Sequence, residues 1–258
     1  MSLARIVALA LLWSGPALAQ DMMRNIDLYS PMMTMAEMSR ADVETALAAG
    51  NRNLSGKRLS GLDLSGLDLS GAVLRGAYLN KAVLKGTNLD RVVLDQAWAL
   101  AADFEGASLK GASLFASQLR GASLKGVDLT GARITADLTN TDLTGAIVRD
   151  ADLSADMKNQ SMGLMRAVLK SAKLDGVDFS GANLSRVTLE FASLKGAILE
   201  RANLTKAELG GANLTGARVA GADFEDADLA STTIKGLVGR DEVLNLDKAR
   251  NLKRAFTD

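Results

Sequence analysis

The sequence has no cysteine and no histidine among its 258 residues. These absences exclude disulfides, thiol nucleophiles, catalysis by a histidine base, and nearly every zinc, copper or haem site. The composition therefore predicts a protein without a cofactor or a metal, and it argues against an enzyme.

Proline and aromatic residues are also scarce. Pro16 and Pro31 are the two prolines, and aromatic residues make up 4% of the chain. Proline cannot donate a hydrogen bond to a strand ladder. Its absence after residue 31 therefore permits uninterrupted β pairing over the rest of the chain.

The N-terminal segment 1–19 has the pattern of a signal peptide. Arg5 supplies a positive charge, residues 6–13 form a short apolar run, and Ala17 and Ala19 match the small-x-small cleavage pattern. We predict cleavage after Ala19 and a periplasmic or secreted protein, with an uncleaved anchor as the alternative. Without residues 1–19 the chain has 29 basic and 30 acidic residues, a net charge of −1. This balance predicts no nucleic-acid partner and no membrane binding beyond the signal segment.

A period of five residues runs through most of the chain. Large apolar residues fall at every fifth position from Leu54, apart from a weak position at Ala99, and one missing residue shifts the phase so that it continues from Leu138. An insertion within residues 154–163 restores the phase at Leu164, from which it runs to Ile234. A small residue, usually alanine, lies two positions before each central residue, and glycine is common two positions after it.

Period five fits neither an amphipathic helix, with a period of about 3.6, nor an alternating strand, with a period of about 2. A square coil satisfies it, with one pentapeptide on each side. The central and small residues then point inward and the other three point outward. Glycine suits the turns between sides, and successive coils stack by parallel pairing about 4.8 Å apart.

The repeated unit Ala-(Asp/Asn)-Leu-x-x, as at residues 212–216, resembles the pentapeptide repeat family over residues 52–236. The resemblance implies an all-β solenoid, a right-handed quadrilateral β-helix, with about nine coils and a length of about 43 Å. The chain then divides into a signal peptide at 1–19, an N-terminal segment with a cap helix at 20–51, the β-helix, and a C-terminal cap at 237–258.

Both ends of a solenoid need caps, because the end coils expose unpaired backbone and core side chains. Ser39 is placed to start a short cap helix that ends at Gly50 and lays Val43 and Leu47 on the first coil. The apolar residues available to close the other end are Leu244, Leu246, Leu252 and Phe256. The family resemblance implies that this end can also dimerise, so a monomer and a C-terminal homodimer both remain open.

Residues one coil apart stack on the same side of the rod, and one such column contains aromatic residues. The column reads Arg58, Tyr78, Trp98 and Gln118, and the outward apolar residues beside it are Val73, Val83, Val93 and Leu100. Exposed apolar patches mark interaction sites, and Trp and Tyr are typical anchors. We predict that these residues, apart from Gln118, contact an unidentified protein partner. The alternative is that they stabilise the coils by stacking alone.

A second column is rich in Asp and Asn. The period of five predicts that this column consists of Asp63, Val83, Asp103, Ser123, Asp142, Gly163, Asn183, Asn203 and Asp223. Calcium needs about six or more oxygens that converge on one point, which an interrupted flat ladder does not offer. We therefore predict a solvated face here and no metal site.

The leading functional prediction is a non-catalytic, exported scaffold that binds a protein. The family resemblance raises an alternative, since some pentapeptide repeat proteins mimic DNA and interact with gyrase. Such mimicry needs a strongly anionic rod, which a net charge of −1 does not provide, and export would separate the protein from gyrase. An enzyme is the third possibility, disfavoured because a rod has no concave pocket and the chain has no histidine.

Overall fold

A computed structural model describes residues 27–158 and 165–257. The predicted signal peptide, its cleavage point after Ala19 and the phase-restoring Leu164 lie outside the described residues. Stacked coils form the body of the chain, and short helical segments lie before and after them. These segments are α1 (Pro31–Thr34), α2 (Arg40–Ala48) and the 3-10 helices Arg240–Glu242, Leu246–Lys248 and Leu252–Arg254.

Parallel backbone pairing joins each coil to the next. Asn53 pairs with Val73, one coil later, and equivalent bridges follow at every fifth position, so that a coil has four short sides. Most sides hold a single bridging residue because corner residues flank it. Two sides extend into longer strands, β1 (Ser113–Gln118) and β2 (Arg133–Asp137), which pair in parallel. The predicted solenoid is confirmed, while the right-handed sense of the coil remains a prediction.

Strand β2 forms where the sequence loses one residue. The central residues Ile134 and Leu138 are four positions apart, so the corner between them is shortened and the backbone runs through it in an extended conformation. Ser123 accordingly pairs with Asp142, one position earlier than an unbroken period would place its partner. The missing residue thus changes one corner and leaves the stacking intact.

The insertion changes the columns more than the sequence predicted. Asp142 pairs with Lys173, so the Asp63 column continues to Lys173, while Asn183 stacks on Asp152. Gly163, the predicted partner of Asp142, lies outside the described residues. Lys173 is ten residues later in the sequence, which is two sides of the coil, so the residues after the insertion join columns two sides away from those predicted. The predicted continuation of the Asp63 column through Asn183, Asn203 and Asp223 was wrong, because these residues stack in the column of Asp152.

Central and small residues fill a continuous apolar core along the rod. Leu124 and Ala72 are fully buried, and Phe179 takes a central position with 1% exposure. Corner residues adopt left-handed torsions, which glycine accepts without strain. At Gly211 the absent side chain is also needed for space, because a Cβ there would lie 2.6 Å from Cδ1 of Phe191.

Helix α2 lies against the first coil. Ser39 begins it, since the Ser39 hydroxyl accepts a hydrogen bond from the backbone N–H of Asp42 and the Asp42 carboxylate accepts one from the backbone N–H of Ser39. This reciprocal pair satisfies two of the free donors at a helix start. Val43 is fully buried in the core, and the partly buried Leu47 packs against the core as well.

The last coil has sides that are one residue longer than the others. Its bridging residues are Val238, Leu244, Arg250 and Phe256, and a 3-10 helix lies between each pair. Leu246 and Leu252, inside two of these helices, pack against the end of the core. Leu244 and Phe256 were predicted to join them, which is wrong. They continue the outward columns and are 52% and 56% exposed.

Candidate interaction surface

The predicted aromatic column exists as a stacked set. Arg58 pairs with Tyr78, Tyr78 with Trp98, and Trp98 with Gln118 through parallel backbone bridges. Each is the bridging residue of its side, which in this repeat is an outward position. The uninterrupted period of these coils therefore brings the two aromatic side chains into neighbouring layers.

The flanking apolar residues lie on the two adjoining sides. Val73 pairs with Val93 on one side, which widens the apolar surface next to the aromatic column. Val83 lies on the other side between Asp63 and Asp103, so carboxylates bound the surface there. Val73, Val83, Val93, Tyr78, Trp98 and Leu100 are all half-buried.

The N-terminal segment lies on this column. The Tyr78 hydroxyl is 3.2 Å from the sulfur of Met32, and the Asn80 side-chain N–H donates to the carbonyl of Met33 at 3.0 Å. The Asn80 side-chain oxygen also accepts from the backbone N–H of Leu100 at 2.9 Å. Asn80 is buried and ties the segment to two coils at once.

A second attachment holds the segment at Arg58. The backbone N–H of Glu37 donates to the Arg58 carbonyl at 2.9 Å, and the Glu37 carboxylate lies 3.4 Å from both Arg58 Nε and Lys57 Nζ. Desolvation raises the pKa of Glu37, but the hydrogen bonds and charges of Arg58 and Lys57 outweigh it and leave the pKa below its usual value. Arg58 is therefore engaged within the chain.

The residues that sequence reasoning missed belong to this N-terminal segment. Large apolar side chains are exposed at Leu28, Tyr29, Met32 and Met35, and Tyr29 is 90% exposed. The available signal was the clustering of methionine, since six of the ten methionines fall between residues 22 and 38. We define residues 28–35 with Tyr78 and Trp98 as the N-terminal surface.

The Asp and Asn residues at the bridging positions have a structural role. The side-chain oxygen of Asp142 accepts from the backbone N–H and the hydroxyl of Thr144, at 3.1 and 2.6 Å. Asp178 binds Ser180 in the same way. Burial raises the pKa of Asp178, but the Ser180 hydrogen bonds and the Arg149 charge outweigh it and hold the pKa below its usual range. These side chains hold the corners by satisfying turn donors.

The described residues contain neither a group of metal-binding side chains nor a membrane-spanning helix. Across residues 27–158 and 165–257, no three His, Cys, Asp or Glu side chains are grouped so that they could hold a metal ion. In the same ranges, no helix combines the length and apolar character that crossing a membrane requires.

The geometry defines a β-solenoid repeat protein. A family model described as pentapeptide repeats matches eight copies, and the chain belongs to this family. The matches cover residues 53–96, 101–135, 164–201, 182–219 and 199–230. No curated protein matches the chain.

Solved pentapeptide repeat proteins are similar to this chain. HetL, from the cyanobacterium Nostoc sp. strain PCC 7120 and involved in regulating heterocyst differentiation, is 29% identical. The match covers 85% of this chain and 94% of HetL, with a TM-score of 0.40. A trypsin-treated form of QnrB1, a plasmid-mediated fluoroquinolone resistance protein, is 16% identical over 75% of this chain and 91% of its own, with a TM-score of 0.45.

Proposed function

We propose that the protein is an exported, non-catalytic scaffold that binds a protein partner through the N-terminal surface. The observation that carries this proposal is the distribution of exposed apolar side chains. Four of the ten large apolar side chains that are exposed in the described residues lie between residues 28 and 35. That segment is in turn hydrogen-bonded to Tyr78 of the aromatic column and to Asn80 on the same coil.

The chemistry of the surface suits a protein partner. Tyr29 and Trp98 are of the residue types that dominate binding energy at protein interfaces. Met32 and Met35 have flexible, polarizable side chains that adapt to a partner's shape. The partner would contact residues from two parts of the chain, because the segment covers Tyr78 in part and leaves Trp98 one coil further along.

Two alternatives receive less support. A DNA mimic needs a strongly anionic rod, and the mature chain has a net charge of −1 with basic side chains in every coil. At the C-terminal end, Leu246 and Leu252 close the core within a single chain. That closure favours a monomeric end over the C-terminal homodimer.

Export is tested by the N-terminus of the protein recovered from fractionated cells. We expect mass spectrometry to find a periplasmic or secreted chain that begins at Gln20, because Ala17 and Ala19 form the cleavage pattern. Recovery of the uncleaved chain from the cytosol would refute the proposed location.

Partner binding is tested by the double substitution Tyr78→Ser with Trp98→Ser. Serine occupies equivalent outward positions at Ser113 and Ser123, so the rod should remain folded. We expect capture of a partner from periplasmic extract to fall at least about tenfold, because two anchors are lost.

The matched control is Phe191→Ser, which removes an aromatic side chain that is 62% exposed elsewhere on the rod. We expect this variant to capture the partner as well as the unsubstituted chain does. If the folded double variant also captures the partner unchanged, the aromatic column only stabilises the coils.

A further inference from the structure

Three cations stack in neighbouring coils on one corner of the rod. Arg166, Arg186 and Lys206 each lie two residues before a bridging residue, and those bridging residues, Val168, Thr188 and Glu208, pair in register. Neighbouring coils lie about 4.8 Å apart. We call these three residues the basic column.

Other stacked charges on the rod alternate in sign. Lys85 lies 2.9 Å from Glu105 in the next coil, and Lys170 lies 2.9 Å from Glu190. By the pairing register of residues 53–158 and 165–256, no other outward column places two cations in neighbouring coils. The basic column therefore departs from the arrangement that the rod uses elsewhere.

The acidic groups nearby only partly balance the basic column. Arg166 donates to the Glu208 carboxylate at 2.7 Å and also lies 3.5 Å from the Arg186 carbonyl oxygen. Lys206 lies 3.9 Å from the Asp226 carboxylate, a long contact for an ion pair. In the described part of the chain, the Arg186 guanidinium takes part in no salt bridge.

Two residues of the basic column occupy left-handed corners of the coil. Arg186 and Lys206 have φ of 61° and 59°, a left-handed conformation that glycine would adopt more easily. At some other corners a bulky residue is followed one coil later by a glycine, as Phe191 is followed by Gly211 and Arg201 by Gly221. Lys206 follows Arg186 directly, so two large charged side chains occupy successive left-handed corners.

The basic column lines an open groove of about 400 Å³. The lining residues are Arg166, Arg186, Lys206, Glu208, Asp226 and Arg250. Four of these side chains are cationic and two are anionic, so the groove carries a net charge of two positive units. An anion in the groove would pair with the Arg186 guanidinium and reduce the repulsion between the stacked cations.

We propose that the groove binds a phosphate group between Arg186 and Lys206. Arginine presents a planar fork of donors that matches the oxygens of phosphate, and lysine adds a point charge. Two negative charges on the ligand would balance the two positive charges of the lining, which favours a phosphate over a monocarboxylate. The site lies in the coils after the insertion, whereas the N-terminal surface lies in the first coils, so it is a second binding activity.

The experiment measures binding of inorganic phosphate and of glycerol phosphate to the full mature chain by calorimetry, with acetate as the monoanionic comparison. We expect saturable binding of at least one phosphate ligand and weaker binding of acetate. Binding of inorganic phosphate would identify the free ion as sufficient, and binding of glycerol phosphate alone would identify an organic phosphate. Absence of saturable binding of both at about 10 mM would overturn the proposal.

The variant Arg186→Gln with Lys206→Gln removes the two proposed contacts and leaves the Arg166–Glu208 pair in place. We expect it to weaken phosphate binding at least about tenfold. The control Lys85→Gln with Lys125→Gln makes the same change of charge in a column where Glu105 lies between the cations, and should bind as the parent does. Equal binding by both double variants would overturn the proposal, because overall charge and not the groove would then determine binding.

Discussion

Leu214→Asp is expected to unfold the rod at ambient temperature. Leu214 is a central residue with no exposed surface, and it belongs to the apolar core that runs along the rod. A carboxylate there would be buried with no cation beside it. An uncompensated buried charge costs about 3–5 kcal/mol, a large share of the roughly 5–15 kcal/mol that stabilises a folded protein. Circular dichroism during a thermal melt measures the effect.

The neighbouring substitution Asn213→Asp is the control. The Asn213 side-chain oxygen accepts from the backbone N–H of Thr215 at 3.0 Å and from its hydroxyl at 2.6 Å. A carboxylate makes the same two hydrogen bonds elsewhere in the repeat, and the column neighbours Ser193 and Thr233 carry no charge. We expect a melting temperature close to that of the parent. Equal melting temperatures for the two variants would show that the assignment of inward and outward positions is wrong.

The period of five was sufficient to predict the body of the fold. A four-sided coil of pentapeptides buries a residue at every fifth position, so the central residues and the pairing of Tyr78 with Trp98 one coil apart followed from counting. Counting failed after the insertion, because a segment of one residue plus any whole number of sides restores the inward phase. The phase therefore does not reveal which side the chain rejoins, and Lys173 took the place predicted for Gly163.

Polar residues at inward positions are explained only by the three-dimensional contacts. Thr87 and Thr232 occupy the small inward position and are fully buried. The Thr87 hydroxyl donates to the Leu64 carbonyl at 2.9 Å, and the Thr232 hydroxyl donates to the Leu209 carbonyl at 2.8 Å. A buried hydroxyl is tolerated when it is hydrogen-bonded, and the carbonyl that accepts it belongs to the preceding coil.

The candidate surface was only half predictable for a similar reason. The aromatic column follows the period, whereas the segment that lies on it has no period to read. Met32 and Met33 contact Tyr78 and Asn80, which lie 46 and 47 residues later in the sequence. Clustered methionines indicated an unusual segment, but composition alone does not place a segment on a particular coil.

Leu246→Ser with Leu252→Ser is expected to destabilise the C-terminal end of the rod. Both leucines are half-buried, begin a 3-10 helix of the last coil, and pack against the end of the core. Full burial of a leucine stabilises a protein by about 1.5–3 kcal/mol, so we expect a loss of about 1.5–3 kcal/mol for the two half-buried residues together. Equilibrium unfolding in urea measures this loss.

The outward residues of the same coil provide the matched comparison. Leu244→Ser with Phe256→Ser removes two apolar side chains that are more than half exposed and do not contribute to the closed core. In a monomer this pair should change the free energy of unfolding by less than about 1 kcal/mol. If the outward pair proves more destabilising than the inward pair, Leu244 and Phe256 must be buried in solution, which requires a second chain at this end. The comparison therefore distinguishes a rod that closes its own core from one that is closed by a partner.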